Sequence, residues 1–595
     1  MKVDIRASKY PVTRDQHFFL SCWFNLVHEF SLDSYRVRTM NTENALRELR
    51  RIIERGTEEE IEMVQIEAIS LIESDGVLGD APFKKSRDLL LEVLAKSDFK
   101  KKKDSQSLAE YFIAELVPII EKQYVDAALL RLNSILIDNS SATISEEQRF
   151  RDIESTLNYL LSLLLDREAS LESLFSLYIQ ILAPRSGAAS YNFSKKFGLL
   201  QKILMNEPKS FLIVLAIENV SKQQDFPAEI GGIKFLKDSP CSQDPDQRES
   251  AYLASAPRKL FAVQNVSARE PRAAGTIAFD NLNDILNLVR FEYEREHVAT
   301  PDMFAFTTQD KLQHARVFSL PKVVPNPSAI IDGVAVSEFI KSVNELVKSD
   351  RFQAEGRDRV YSAFRLYRTG LDAPILANKL MNWWTAIEFL VRGQSTNGSI
   401  GKSVESMLAP VLCRTYLAKL LIAVRNVLLD LGVTIVDPRD QSAISLRGVP
   451  LSALYKLMRR HEIQAEILKA VSNEPYVERH VTRFFGGLND FAVLSKLLSA
   501  HENRVRAHLQ RLYRARCDIV HSARLTVSTP LLCACLEYYI KTALMSLLRA
   551  LRSNPTLSSA KEFFDREKYE FEKMKASLSK GDDDSLLLHL TEMEL

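Results

Sequence analysis

The 595-residue sequence predicts a mainly α-helical protein of several domains. These are a helical region over 1–204, a small α+β domain over 205–335, a helical bundle over 336–552 and a charged helical tail over 553–595. Apolar residues recur at three- and four-residue spacing through most of the first two hundred positions and again from about 336 onward, the pattern of amphipathic helices. Between these regions, short runs rich in β-branched and aromatic residues read as strands. The length also far exceeds that of one ordinary domain.

In chain order, helical spacing covers 41–73, 108–137 and 150–182, with breaks at the polar or charged segments 100–107, 138–145 and 183–190. No fixed repeat period is present, so a repeat array has no signature to support it. Segments 211–217, 259–266, 303–307 and 315–320 read as strands, interrupted by a polar loop at 237–250 and a helix near 281–295. Helical texture then resumes at 360–369, 382–390 and 530–551. The tail has an amphipathic stretch at 560–578 and an acidic patch at 582–584, and its charge predicts a peripheral or partly disordered appendage.

Composition excludes several classes. With 46% hydrophobic and 26% charged residues, the chain is an ordinary globular one. A net charge of +1 gives no global field for nucleic acid or membrane, so any such footprint must be local. The six cysteines, Cys22, Cys241, Cys413, Cys517, Cys533 and Cys535, form no CxxC pair, which fits free thiols in a reducing compartment. The first residues carry no hydrophobic signal core, and the longest apolar runs, 211–217 and 160–165, are too short for a bilayer. A cytoplasmic protein without a membrane partner is expected.

One segment is chemically distinctive. Residues 502–524 carry six arginines (504, 506, 511, 514, 516 and 524) against Glu502 and Asp518, a local cationic patch suited to an anionic ligand or simply a solvated basic helix. Val505, Leu509, Leu512, Arg516 and Ile519 follow one helix face, so Arg516 falls where an apolar residue is expected. A guanidinium there requires a ligand phosphate, a facing subunit, or an internal carboxylate such as Glu388. His521 follows five residues later. At about 100° per residue the two side chains diverge by about 140°, so convergence needs a helix end at His521 or a second copy of the motif.

The run from Leu512 to Ser522, LYRARCDIVHS, resembles the signature helix of HEPN proteins, above all the ApeA-like subgroup, in which an arginine and a histidine are separated by four to six residues. The upstream run NWWTAIEFL, ending near Glu388, resembles that subgroup's earlier aromatic-rich helix. The resemblance covers about 200 residues and implies a helical ribonuclease module over about 345–552. Cys517 departs from it, since the place after the arginine usually holds Asn, Asp or His. Packed cysteine is the plainer meaning of that thiol.

The resemblance implies a metal-independent endoribonuclease with no cofactor. Arg516 and His521 would be catalytic, Cys517, Asp518 and Glu388 supporting, and Arg504, Arg511 and Arg514 would guide the RNA backbone. Histidine suits proton transfer to and from ribose and phosphate oxygens, and arginine suits bidentate phosphate binding. Attack by the 2′-hydroxyl would leave a 2′,3′-cyclic phosphate and spare DNA. The family's partners are RNA and a second protomer. Antiphage or toxin-like action is implied, held back until a restraining partner leaves or a phage-derived trigger arrives. A non-catalytic RNA-binding or dimerisation module and a plain helical scaffold remain alternative readings.

Other signals are weaker. Residues 396–403 (TNGSIGKS) lack the first glycine of a phosphate-binding loop and follow a helix rather than a strand. His461-Glu462 lacks the second histidine of a zinc helix, and no Cys/His spacing suits zinc. His501 and His508 share a helix face and are expected to be solvated. No nucleophile elbow is present.

Overall fold

A computed structural model describes residues 1–4, 11–31, 40–138, 144–167, 169–183, 191–220, 223, 226–240, 251–292, 298–308, 315–321, 337, 340–341, 343–345, 354–373, 375–391, 399–522, 529–554 and 556–593. The protein is mainly α, 71% helical and 8% strand, with a small sheet region. Arg524, Ser528, Cys241 and 396–398 lie outside the described residues, as does most of the loop at 237–250.

The chain forms two compact units. One joins Met1–Leu163, Ala183–Phe193 and Val323–Leu595, and the other joins Leu164–Leu182 and Ser194–Lys322. The division at 204 therefore does not separate the first helices from the C-terminal bundle. They fall in one compact unit, in which Glu48 meets Arg511 and Arg514 and Phe18 meets Tyr476, and pairing across so many residues leaves no local sign in the sequence.

In the larger unit, the first helices are α1 (Arg14–Val27), α2 (Thr42–Arg55) and α3 (Glu58–Ser74). A capping box between Thr13 and Gln16 starts α1. The single helix expected over 41–73 is two, because Asn41 caps α2 and Thr57 with Glu60 forms a second capping box for α3. Gly56 sits at the break, where a Cβ would stand 2.6 Å from Ile52 Cγ2. Helices α4 (Lys84–Leu94), α5 (Lys103–Leu136) and α6 (Glu146–Asp166) complete this part, with α6 running on past the unit's Leu163 boundary.

The rest of the larger unit is a bundle. Its helices are α7 (Ala354–Asp372), α8 (Leu376–Val391), α9 (Ile400–Arg414), α10 (Tyr416–Asp430), α11 (Leu451–Met458), α12 (His461–Val471), α13 (Pro475–Asn489), α14 (Phe491–Ser522), α15 (Thr529–Ser553), α16 (Ala560–Ser579) and α17 (Asp584–Glu592). One apolar core runs through them, including Trp383, Trp384, Leu408, Leu509, Leu512, Leu536, Ile540 and Phe571. Stretches Ile400–Asp430 and Pro530–Ser553 are long and apolar enough to cross a membrane, which corrects the expectation that every apolar run is too short. Of the most apolar 18 residues in each, 78% and 72% are buried, so that apolarity is already used within the protein.

The tail is also corrected. Phe563, Phe564, Phe571, Met574 and Leu578 are buried in the bundle. Arg414 donates to Glu567 at 2.7 Å and to Glu592 at 2.8 Å, and Lys575 donates to Glu502 at 2.7 Å. Asp583, from the acidic patch, accepts from Tyr455 and Arg459. High charge density marked the tail as peripheral, but those charges meet partners on other helices.

The second unit contains a six-stranded antiparallel sheet. Its strands are β1 (Lys209–Ile217), β2 (Glu229–Ile230), β3 (Ile233–Leu236), β4 (Leu260–Ala268), β5 (Met303–Thr307) and β6 (Arg316–Ser319), in the order β2-β3-β4-β1-β5-β6. The central pair registers Phe211 with Val266 and Ile217 with Leu260. A helix over Pro271–Glu292 buries Ala274, Ala278, Leu282 and Leu286 against one face. It begins ten residues before the helix expected at 281, because the small residues Ala273, Ala274 and Ala278 pack closely on the sheet and carry little helical pattern.

Candidate functional site

Helix α14 positions every residue of the candidate site except Glu388. Asp490 starts it, its carboxylate accepting from the amides of Ala492 at 2.8 Å and Val493 at 3.3 Å. Leu494, Leu498, Val505, Leu509, Leu512 and Ala515 then bury one face. The helix continues unbroken through Ser522. The apolar stripe rises to the surface at its end, so Arg516 sits at the rim of the core with its side chain 25% exposed.

Glu388 on α8 faces it. Arg516 Nε lies 3.8 Å from Glu388 Oε1, an ion pair too long for a hydrogen bond, and that buried Nε has no hydrogen-bond partner among the described residues. The Trp384 indole N–H donates to the same carboxylate oxygen at 2.5 Å. Tyr513, one turn before Arg516, packs its ring on Trp384 with centroids 5.9 Å apart, and Cys517 follows it by one turn on the same helix face. Burial, then Cys517, raises the Tyr513 pKa. Arg516, Glu388, Tyr513 and Cys517 thus form one cluster.

His521 does not join it. On a continuous helix it projects about 140° from Arg516, and it is exposed in the last turn. The helix ends at Ser522, one residue after His521, and 523–528 lie outside the described residues, so the helix-end route and the second-copy route both stand. Asp518 also turns away and pairs with Arg51 of α2.

The expected cationic patch is largely neutralised. Arg511 and Arg514, expected to guide RNA, are buried, and both donate to Glu48 of α2, at 3.1 Å from Arg511 Nε and 3.0 Å from Arg514 Nε. Arg511 also pairs with Glu67 of α3. Burial pushes the Glu48 carboxyl up, but the two guanidiniums outweigh it and hold it at about 2. Arg506 is bound to Glu502 and Glu405. Only Arg504 of the three expected RNA guides is exposed in this arrangement. Apart from Glu502, these acids lie on α2, α3 and α9, where a charge count confined to the motif does not reach them.

Two histidines also differ from expectation. His508 is buried, its Nδ1 2.7 Å from the Tyr539 hydroxyl, and burial pushes its pKa down to about 3. His501 stacks on Tyr416 at 3.8 Å between ring centroids. Ser399 caps α9, and Lys402 pairs with Glu59 of α3. Sequence reasoning overlooked Tyr513 as a site residue and Glu48 as the partner of the arginines. Tyr513 was detectable from its position one turn before Arg516, whereas Glu48, 463 residues from Arg511, left no such sign.

No family model, no curated protein and no solved structure matches this chain.

Proposed function

We propose that the C-terminal bundle is a HEPN-type, metal-independent endoribonuclease that works as a homodimer. The observation that carries the reading is a partly exposed guanidinium at the rim of an apolar core, its Nε without a hydrogen-bond acceptor among the described residues, five residues before an exposed histidine on one unbroken helix. Arg516 would hold the scissile phosphate and the charge that grows on it in the transition state. His521 would move the proton between the ribose 2′-hydroxyl and the leaving 5′-oxygen, which gives a 2′,3′-cyclic phosphate. Because one helix aims the two side chains apart, two copies of α14 would each contribute to a composite site. The biological setting implied by the resemblance is a cytoplasmic antiphage or toxin-like effector released by a trigger. The first helices, bound to α14 through Glu48, are the natural restraint.

A second reading has its own support. Cys517 occupies the usual polar place, and Arg516 already faces Glu388, which suits a bundle retained for RNA binding or dimerisation without cleavage. Incubating the full-length protein with total RNA, beside Arg516→Ala and His521→Ala, separates the two. Fragments with 5′-hydroxyl and cyclic-phosphate ends, made by wild type alone, support cleavage. Identical RNA patterns from all three proteins would reject it.

A further inference from the structure

We propose that Tyr513 is a third substrate-touching residue of the Arg516 site, its hydroxyl donating to a non-bridging oxygen of the bound RNA phosphodiester. The inference rests on the ribonuclease reading of that site and adds to it a residue and a contact.

Its geometry comes from three neighbours. The Tyr513 ring lies against Trp384, and it fills the space over Gly401, where a Cβ would stand 2.5 Å from Tyr513 Cδ1. Any larger residue at 401 would displace the ring, so the close approach depends on that glycine. With its ring held in this way, the phenol has little freedom to lose on meeting a ligand. The hydroxyl is in the field of Cys517, Arg516 and Glu388.

Cys517, one turn after Tyr513, is a poor competitor for that hydroxyl. A thiol is among the weakest hydrogen-bond acceptors in a protein, while a phosphodiester oxygen is among the strongest. A protonated phenol with a thiol as its neighbour can therefore turn to an anion that reaches Arg516. Arg516 supplies charge without a proton to give up, and Glu388 can only accept. Tyr513 is the neutral donor of the cluster, and its one-turn offset places it on the same helix face as Arg516 and Cys517. No bond is made or broken by Tyr513; it adds a hydrogen bond that strengthens as charge grows on phosphorus.

The test uses full-length protein and a 5′-labelled single-stranded RNA oligonucleotide, with wild type, Tyr513→Phe and Arg516→Ala in parallel. Phenylalanine keeps the ring over Gly401 and against Trp384, so the thermal midpoint should not move. Removal of the hydroxyl should lower kcat by about 10- to 100-fold with a smaller change in KM. A single phosphorothioate at the cleavage site should slow wild type in one stereoisomer only, and that preference should vanish in Tyr513→Phe, a response a purely structural tyrosine would not give. If Arg516→Ala is inactive while Tyr513→Phe matches wild type in kcat and stereoisomer preference, the Tyr513 inference fails and the ribonuclease reading stands. If wild type cleaves nothing, or Arg516→Ala cleaves like wild type, both fail.

Discussion

Arg516 Nε stands 3.8 Å from Glu388 Oε1, near enough for electrostatic attraction and too far for a hydrogen bond. Glu388 is itself held by the indole N–H of Trp384. The carboxylate therefore orients the guanidinium without satisfying it, the condition of a cation that can take another anion. If so, Arg516→Ala will cost less than about 1 kcal/mol of stability, as for other partly exposed ion pairs, while abolishing RNA cleavage. Denaturant titration with the cleavage assay checks this, and a loss of several kcal/mol would mark the pair as structural.

Glu48 is the opposite case. It is buried between Arg511 and Arg514, and removing its charge strands two guanidiniums away from water. Glu48→Gln should therefore destabilise the larger unit by about 3–5 kcal/mol, measured by denaturant unfolding. A change below about 1 kcal/mol would show that water reaches the arginines.

Acid should weaken the same region in two steps. His508 has its pKa pushed from 6.5 to about 3 by burial, so between those values the unfolded chain binds a proton that the folded chain does not, and stability falls as pH drops below 6.5. Glu48, held at about 2 by the arginines against the pull of burial, adds a second loss below pH 4.5 by the same sign. Asp75, which burial raises to about 6, acts in reverse between 3.8 and 6, since there the folded chain holds the extra proton. Replacing His508 with Gln should flatten the upper step of unfolding curves recorded from pH 7 to 4. An unchanged slope would contradict the neutral buried imidazole.

A composite site makes a distinctive prediction for mixtures. Arg516→Ala and His521→Ala homodimers should each be inactive, with general acid–base loss alone worth about 10²–10⁴-fold. Hybrid dimers carrying one of each should regain part of the activity, because one interface site keeps both groups. Mixtures refolded together and assayed on RNA test it, and no recovery from a verified hybrid would place both residues in one protomer's site.

The C-terminal helices should be indispensable to the fold. Deleting 560–595 removes both partners of buried Arg414 and uncovers the core around Phe571. The truncated protein should melt lower and aggregate, followed by light scattering during heating. An unchanged midpoint would return the tail to the periphery.

Much of this was written in the chain itself. Apolar periodicity marks the Trp384 and Arg516 helices, the strand at 303–307 is where its short apolar run puts it, and the odd cation in the stripe at 516 is visible without coordinates. Glu388 could be named as a carboxylate that might face it. Such features are local, set by spacing along one helix or strand. Tertiary structure alone decided which arginines are spent. Arg511 and Arg514 look identical to Arg504 in a charge count, yet Glu48, brought from more than 460 residues away, neutralises the first two and leaves the third exposed. The same holds for the tail, whose charges read as solvated until Arg414 and Glu502 meet them. Electrostatic pairing acts through space and depends on burial, so a single segment carries the charge but not its partner.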